Sequence, residues 1–340
     1  MTKQTIKFSN SRTDFYFNDT IRRLGNVVNK HAAVIITDEN VYKKHLPKFK
    51  GWDCIVLKAG EEFKVQSTVD AVIEQLITMK ADRQTVLVGA GGGVITDITG
   101  YVATIFMRGL RFGFVPTSLL AMVDASIGGK NGIDVGVYKN MVGTFCQPAF
   151  ILYDMSFLRT LPDAEWNNGF AEIIKHSFIR DARMFKELEN SSPDQYKKDP
   201  NAIEKLVRRN VLIKTAVVKK DEFEKKDRKL LNFGHTLGHA LENQYELSHG
   251  QAISIGMTFA AHLSEKLSGL KERDKVIGLL EKYGLPTYAS FNKKKVYDVL
   301  KMDKKRERKE MNFVLLEKIG KGLVKKIPVE KLQGFLENLM

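Results

Sequence analysis

The chain has 340 residues, 43% hydrophobic and 28% charged. That is the balance of a globular protein with room for about two domains. Its 54 Lys and Arg against 40 Asp and Glu give a net charge of +14, which raises the question of a polyanionic partner. No charge-free run reaches the roughly twenty residues of a membrane span, and the start MTKQTIKFSN lacks an apolar signal core. Cys54 and Cys146 are too few for a disulfide framework or a cysteine zinc site. A reduced, cytoplasmic protein is expected.

In chain order, AAVIIT (32–37) is an apolar, partly β-branched run and predicts a buried strand. Residues 65–80 carry apolar side chains at 65, 69, 72, 73, 76 and 77, which is helical spacing. TVLV (85–88) predicts a second strand. It is followed by GAGGGV (89–94), a helix over 96–107, and a strand over 112–115 that ends at Pro116. This alternation argues for an open, largely parallel α/β sheet. From Leu161 the pattern turns helical, with helices predicted over 164–180, 201–221, 232–246, 252–268 and 272–283. Pro162, Ser191-Ser192-Pro193 and Gly284-Leu285-Pro286 punctuate them. The expected organisation is α/β. A Rossmann-like α/β domain over 1–160 precedes an all-helical domain over 161–340.

The positive charge is not focused. Residues 1–160 carry +5 and the remainder +9. The densest run, KMDKKRERKE (301–310), holds its own acids and reads as a solvated face. No motif that reads RNA or DNA is present, so nucleic acid is not an expected partner, and neither is a membrane.

Three features point to chemistry. GAGGGV lies between a strand and a helix, where bare backbone and a helix N-terminus can receive a phosphate. It departs from the Rossmann fingerprint because position 94 is Val. Asp38, just past the strand 32–37, is placed to hold a ribose hydroxyl. DASIGGKNGID (124–134) with Lys139 and Asn140 adds cations and an amide beside glycines. Third, His235, His239 and His249 fall within fifteen residues. His235 and His239 are spaced i, i+4 on one helix face and are candidate metal ligands. His249, in a turn beyond that helix, is another candidate. Glu172 interrupts an apolar helix face and is the best carboxylate to complete such a site, with Lys175 one turn on and His176 a competing ligand.

GGGVITDITGYVATIFMRG, FVPTSLLAMVDASIGGKNGID, FLRTLP, GFAEIIKH and LNFGHTLGHALE occur in this order. Together they resemble the 3-dehydroquinate synthase family, within the wider group of sugar-phosphate cyclases. The resemblance covers residues 34–265 and the DKK at 303–305. It implies conversion of 3-deoxy-D-arabino-heptulosonate 7-phosphate to 3-dehydroquinate and phosphate. NAD would serve as a catalytic oxidant beside one divalent metal, zinc or cobalt, and the chain would form a homodimer.

The resemblance also implies residue roles. Glu172, His235 and His249 would hold the metal, which leaves His239 in the active site but not as a ligand. NAD would be held by Asp38, Asn40, Ala59, Gly60, Glu61, Glu62, Phe63 and Lys64. Gly92, Gly93, Val94, Ile95, Thr96, Asp97, Thr117, Ser118, Lys130 and Lys139 would continue that site, and Phe157, Leu158, Arg159 and Thr160 would complete it. Substrate and catalysis would fall to Arg108, Asp124, Lys130, Asn140, Lys175, Lys214, Glu224, Arg228, Asn232 and His239. One of Lys304 and Lys305 would reach the phosphate. Three positions depart from the family pattern: Thr96 for Gly, Ser118 for Thr, and Gln251 for Glu. The Gln251 change is expected to act on metal affinity. The alternatives are another sugar-phosphate cyclase, such as 2-deoxy-scyllo-inosose synthase, or a metal-dependent polyol dehydrogenase.

Overall fold

The computed structural model describes residues 2–136, 138–242, 244–302, 306–307 and 310–339. Two compact units form. One comprises the chain up to Pro162 together with Asp199–Glu222, and the other Asp163–Lys198 and the chain from Phe223 onward. The division expected at 160/161 is therefore interrupted. The helix Pro200–Lys220 groups with the first unit because it packs on the turn Ala121–Ala125 and on the segment Met155–Thr160. Its buried face is Ile203, Leu206, Val207, Val211 and Val218.

The first unit is built on nine strands. These are β1 (Thr2–Lys7), β2 (Arg12–Phe17), β3 (Ala33–Asp38), β4 (Asp53–Leu57), β5 (Val86–Gly91), β6 (Arg111–Pro116), β7 (Lys130–Val135), β8 (Tyr138–Phe145) and β9 (Phe150–Leu152). Seven of them form one sheet in the order β1-β2-β9-β6-β5-β3-β4. Only the β1–β2 pair is antiparallel. The inner strands are apolar on both faces, as a sheet covered on both sides requires. β3 and β5 are almost wholly buried. The chain leaves β3 for β4 on one side and returns to β5 on the other, so the strand order reverses between β3 and β5. In open α/β sheets a ligand crevice lies beyond the carboxyl ends of the strands at such a point. Asp38 ends β3 and Gly91 ends β5, which places the two candidate nucleotide-binding positions side by side.

In the second unit the helices Asp163–Arg180, His235–Glu242 and His249–Ser268 pack together. The helical expectation for this half omits a sheet. β10 (Arg306–Glu307), β11 (Glu310–Lys318) and β12 (Lys321–Pro328) form an antiparallel set. Met311, Phe313 and Leu315 of β11 are spaced by two and enter one core with Phe259, Ile327 and Leu332. No helix among the described residues is long and apolar enough to cross a membrane.

Candidate active site: a nucleotide crevice and a metal centre

In the first unit the glycine loop closes tightly on its own helix. Gly91 ends β5, Gly92 caps the helix Gly93–Ile105, and a Cβ on Gly91 would lie 2.4 Å from the Ile95 side chain. Backbone N–H groups of that first turn are left for a ligand. Thr96, the departure from the family pattern, is fully buried, and its hydroxyl donates back to the Gly93 carbonyl at 2.9 Å. The extra side chain is thereby absorbed by the helix. Ser118 accepts the Ala121 N–H at 3.2 Å, and the Thr117 N–H donates to Gly91. Asp38 accepts the Val41 N–H at 3.0 Å and so caps the next helix. Burial pushes its carboxyl up from the ordinary aspartate range, against the pull of those backbone N–H groups.

The stretch Ala59–Lys64, a candidate for the nucleotide, includes Gly60, whose φ of 135° lies outside the range favoured by residues with a side chain. Glu61, Glu62 and Phe63 form a short turn that ends at Lys64. Lys64 is only 4% exposed. Its ammonium meets Asp97 Oδ2 at 2.6 Å and donates to Asn140 Oδ1 at 2.7 Å, with Glu61 at 3.9 Å. Asn140 sits in the left-handed region at φ 54° and is held there by its N–H on Asp134 Oδ1 at 2.6 Å. The AGEEFK loop, the glycine-loop helix and the β7–β8 hairpin are thus joined through one ammonium. That junction is absent from any single motif in the sequence.

Among the other predicted residues of this unit, the Lys214 ammonium reaches both the backbone oxygen and Oδ1 of Asp124 at 2.7 Å. Lys130 and Lys139 lie on the β7–β8 hairpin. Arg108 is exposed in a strained turn, where Met107 and Arg108 both have positive φ before Gly109. Asn40, Ala59 and Gly60 lie at the surface or partly exposed. Phe157 and Leu158 are core side chains, at 1% and 4% exposure. They can meet a cofactor only through their backbone. Arg159 and Thr160 instead line an open cavity of about 440 Å³ together with Lys44 and Lys48.

The second unit holds the metal-type cluster. Glu172, fully buried in the middle of the helix Asp163–Arg180, His235 and His249 present donor atoms within 4.8 Å of one another. His249 Nε2 is 3.1 Å and His235 Nε2 3.5 Å from Glu172 Oε1. Lys175, one turn on and equally buried, pairs with Glu172 Oε2. His235 Nδ1 lies 3.1 Å from the Phe233 carbonyl oxygen. A carbonyl only accepts, so Nδ1 carries the proton and Nε2 keeps its lone pair for a ligand role. Burial works against a charged His249, but the Glu172 and Glu242 carboxylates outweigh it and push its pKa up to about 10. The cluster is built to receive positive charge. Two imidazole nitrogens and one carboxylate oxygen are the protein donor set of a catalytic divalent metal site, and these residues fit one.

The i, i+4 spacing of His235 and His239 brings their rings edge to face at 5.1 Å. His239 stays outside the three-residue cluster. His176, buried on the Glu172 helix, has a ring nitrogen within 4.8 Å of Glu172 and belongs to the same polar surroundings. Asn232 donates to Glu224 Oε1 at 2.7 Å, and Arg228 between them is buried. Lys304 and Lys305 lie outside the described residues.

Two contacts that hold His249 escaped the sequence reading. Asn168 Oδ1, one turn before Glu172, accepts the Gly250 N–H at 2.8 Å. It pins the start of the His249 helix to the Glu172 helix. Ser248 and Gln251 form a capping box at that helix start, with Gln251 Oε1 accepting the Ser248 N–H at 2.9 Å. Gln251 is exposed, so its amide serves the cap. Helix closeness also depends on Gly256, where a Cβ would lie 1.9 Å from the Gly234 oxygen. Gly256→Ala is expected to cost about 1–3 kcal/mol of unfolding free energy, measured by urea denaturation.

The family model for the 3-dehydroquinate synthase N-terminal domain matches residues 54–168, and that for the C-terminal domain matches 169–306. The chain belongs to the 3-dehydroquinate synthase family. A relative named 3-dehydroquinate synthase in Campylobacter curvus is 38% identical over 332 residues, covering 94% of this chain and 95% of that one. Among solved structures, a 2-deoxy-scyllo-inosose synthase complexed with carbaglucose-6-phosphate, NAD+ and Co2+ matches with a TM-score of 0.87 and 25% identity over the whole of both chains. A 2-epi-5-epi-valiolone synthase from Streptomyces hygroscopicus with NAD+ and Zn2+ bound matches at 0.88 and 25%, covering 99% of this chain and 98% of that one.

Proposed function

We propose that this chain converts 3-deoxy-D-arabino-heptulosonate 7-phosphate to 3-dehydroquinate and inorganic phosphate, a step of the shikimate pathway toward aromatic amino acids. It is then a carbon–oxygen lyase that depends on NAD and on zinc or cobalt. The observation that carries this reading is the convergence of Glu172, His235 and His249 in a member of this family. The overall change is transient oxidation at C5, phosphate elimination, re-reduction, ring opening and an intramolecular aldol closure. When bound, the metal and nicotinamide supply Lewis acidity and a hydride acceptor that is regenerated in the same cycle.

The chain's own residues do the positioning. Glu172, His235 and His249 hold the metal. Lys175 offsets the Glu172 charge and is a candidate to hold a substrate proton. His239, beside His235, is the candidate acid–base group on the metal-facing side of its helix. Arg228 and Lys214 are suited to the substrate carboxylate, and Asp124 fixes Lys214. Lys130 and Arg108 serve the phosphate end. Asp38, the glycine loop and the AGEEFK loop serve NAD, with Lys64 joining the loops. The expected partners are a small sugar phosphate and a second copy of this chain, in the cytoplasm. The apolar side chains Val135, Tyr138, Met141 and Phe145, exposed on the β7–β8 hairpin, favour self-association. Most of the +14 charge remains surface composition.

A second reading, another sugar-phosphate cyclase, is favoured by the 25% identical structures. The two readings differ in the carboxylate. Turnover is expected with 3-deoxy-D-arabino-heptulosonate 7-phosphate and not with glucose 6-phosphate, and the reverse preference would replace the first reading with the second. His239→Ala is expected to keep its metal by elemental analysis and to lose about 10²–10⁴-fold in turnover, the usual worth of an acid–base group.

A further inference from the structure

We propose that Glu242 is the positioning residue that orients His249 toward the metal, an inference that rests on the metal site described above. His249 lies between two carboxylates. Its Nε2 is 3.1 Å from Glu172 Oε1, and its Nδ1 is 3.7 Å from Glu242 Oε2. At 3.7 Å the second contact is ionic, too long for a direct hydrogen bond. A carboxylate there still favours the tautomer that places the proton on Nδ1, and this leaves the Nε2 lone pair on the Glu172 side. His235 receives the same assignment from the Phe233 carbonyl. His249, at the first position of its helix, has the Glu242 carboxylate on that side instead.

The placement of Glu242 supports a role beyond solubility. It stands seven residues after His235, two helical turns along the same face. One helix therefore carries a ligand at its first residue and the orienting carboxylate of another ligand at its last. A carboxylate at a helix C-terminus faces the negative end of the macrodipole and is disfavoured there. The Glu242 side chain is also only 11% exposed, which costs it hydration. A divalent cation and its histidine close by offset both terms. Carboxylate partners of metal-bound histidines raise the basicity of the ligand and fix its ring.

The test is the dissociation constant of Co2+, measured by chelator competition at one fixed pH on the full chain and on Glu242→Gln and Glu242→Ala, with the visible absorption of bound Co2+ recorded alongside. Loss of the orienting carboxylate is expected to weaken Co2+ binding about 10–100-fold in Glu242→Ala. Glu242→Gln, which keeps an acceptor oxygen, is expected to lose less, and the cobalt bands are expected to shift in both. An unchanged dissociation constant in Glu242→Ala overturns the proposal. If that variant does not fold, Glu242→Gln decides: weaker binding with shifted bands supports it, and wild-type binding overturns it. Failure of the parent reading looks different. A wild-type chain whose Co2+ affinity is indifferent to His249→Ala has no metal site of this kind. One that binds Co2+ through His249 but lacks turnover keeps the Glu242 role and loses the proposed reaction.

Discussion

Replacing His235 with alanine is expected to strip the protein of its metal and to lower turnover by at least about a thousandfold. The metal supplies several kcal/mol of transition-state stabilisation, and each 1.4 kcal/mol is about tenfold in rate. The geometry makes His235 hard to replace. Its Nδ1 proton is committed to the Phe233 carbonyl at 3.1 Å, and its Nε2 faces Glu172 at 3.5 Å. His239 is not expected to take over, because it is not among the residues whose donor atoms converge on Glu172. Elemental analysis after dialysis, paired with a turnover assay, checks the prediction. Metal retained in His235→Ala but lost in His239→Ala would reverse the ligand assignment.

Lys64→Ala is expected to lower the unfolding free energy by about 3–5 kcal/mol, the usual result of removing one partner from a buried ion pair. Lys64 is 4% exposed and sits 2.6 Å from Asp97. Burial already pushes the Asp97 carboxyl up, and Lys64 opposes that shift. Without the ammonium, the folded-state pKa rises further above its unfolded value. A carboxyl of that kind destabilises when ionised, so the variant should regain stability as the pH falls through that raised pKa. Asp97→Asn in the Lys64→Ala background should recover part of the loss at neutral pH. Urea denaturation across pH reads both effects. A Lys64→Ala variant as stable as the parent at neutral pH would show that the pair is not the junction described.

How much of this was legible in the sequence varies by element. β3 and β5 are short apolar runs bounded by polar and glycine signals, and their positions follow from pattern alone. Their adjacency does not, because pairing β3 with β5 across an intervening strand is a tertiary choice. β11 is not predicted from the sequence, because its apolar alternation, Met311, Phe313 and Leu315, abuts the charged run 301–310, which masks it. The helix Pro200–Lys220 reads correctly as a helix. No sequence signal tells that its buried face packs within the first unit. In the Glu172, His235 and His249 cluster the residue types are plain, but spacing alone groups His235 with His239. The structure instead groups His249 with His235 and Glu172, at a separate helix start that Asn168 and the Ser248–Gln251 cap hold in position. Gln251, the departure expected to act on metal affinity, is an exposed residue that caps the His249 helix. The i, i+7 relation of His235 and Glu242 was visible in HTLGHALE all along, but it carries meaning only once His249 is in place.

This chain is expected to use NAD without consuming it while it releases phosphate. Counting inorganic phosphate against NADH, with NAD far below the concentration of 3-deoxy-D-arabino-heptulosonate 7-phosphate and zinc or cobalt present, tests that most directly. Many phosphates released per NAD are expected, with no NADH accumulating and 3-dehydroquinate as the product. NADH rising in step with product, or no phosphate released with both NAD and metal supplied, would contradict it.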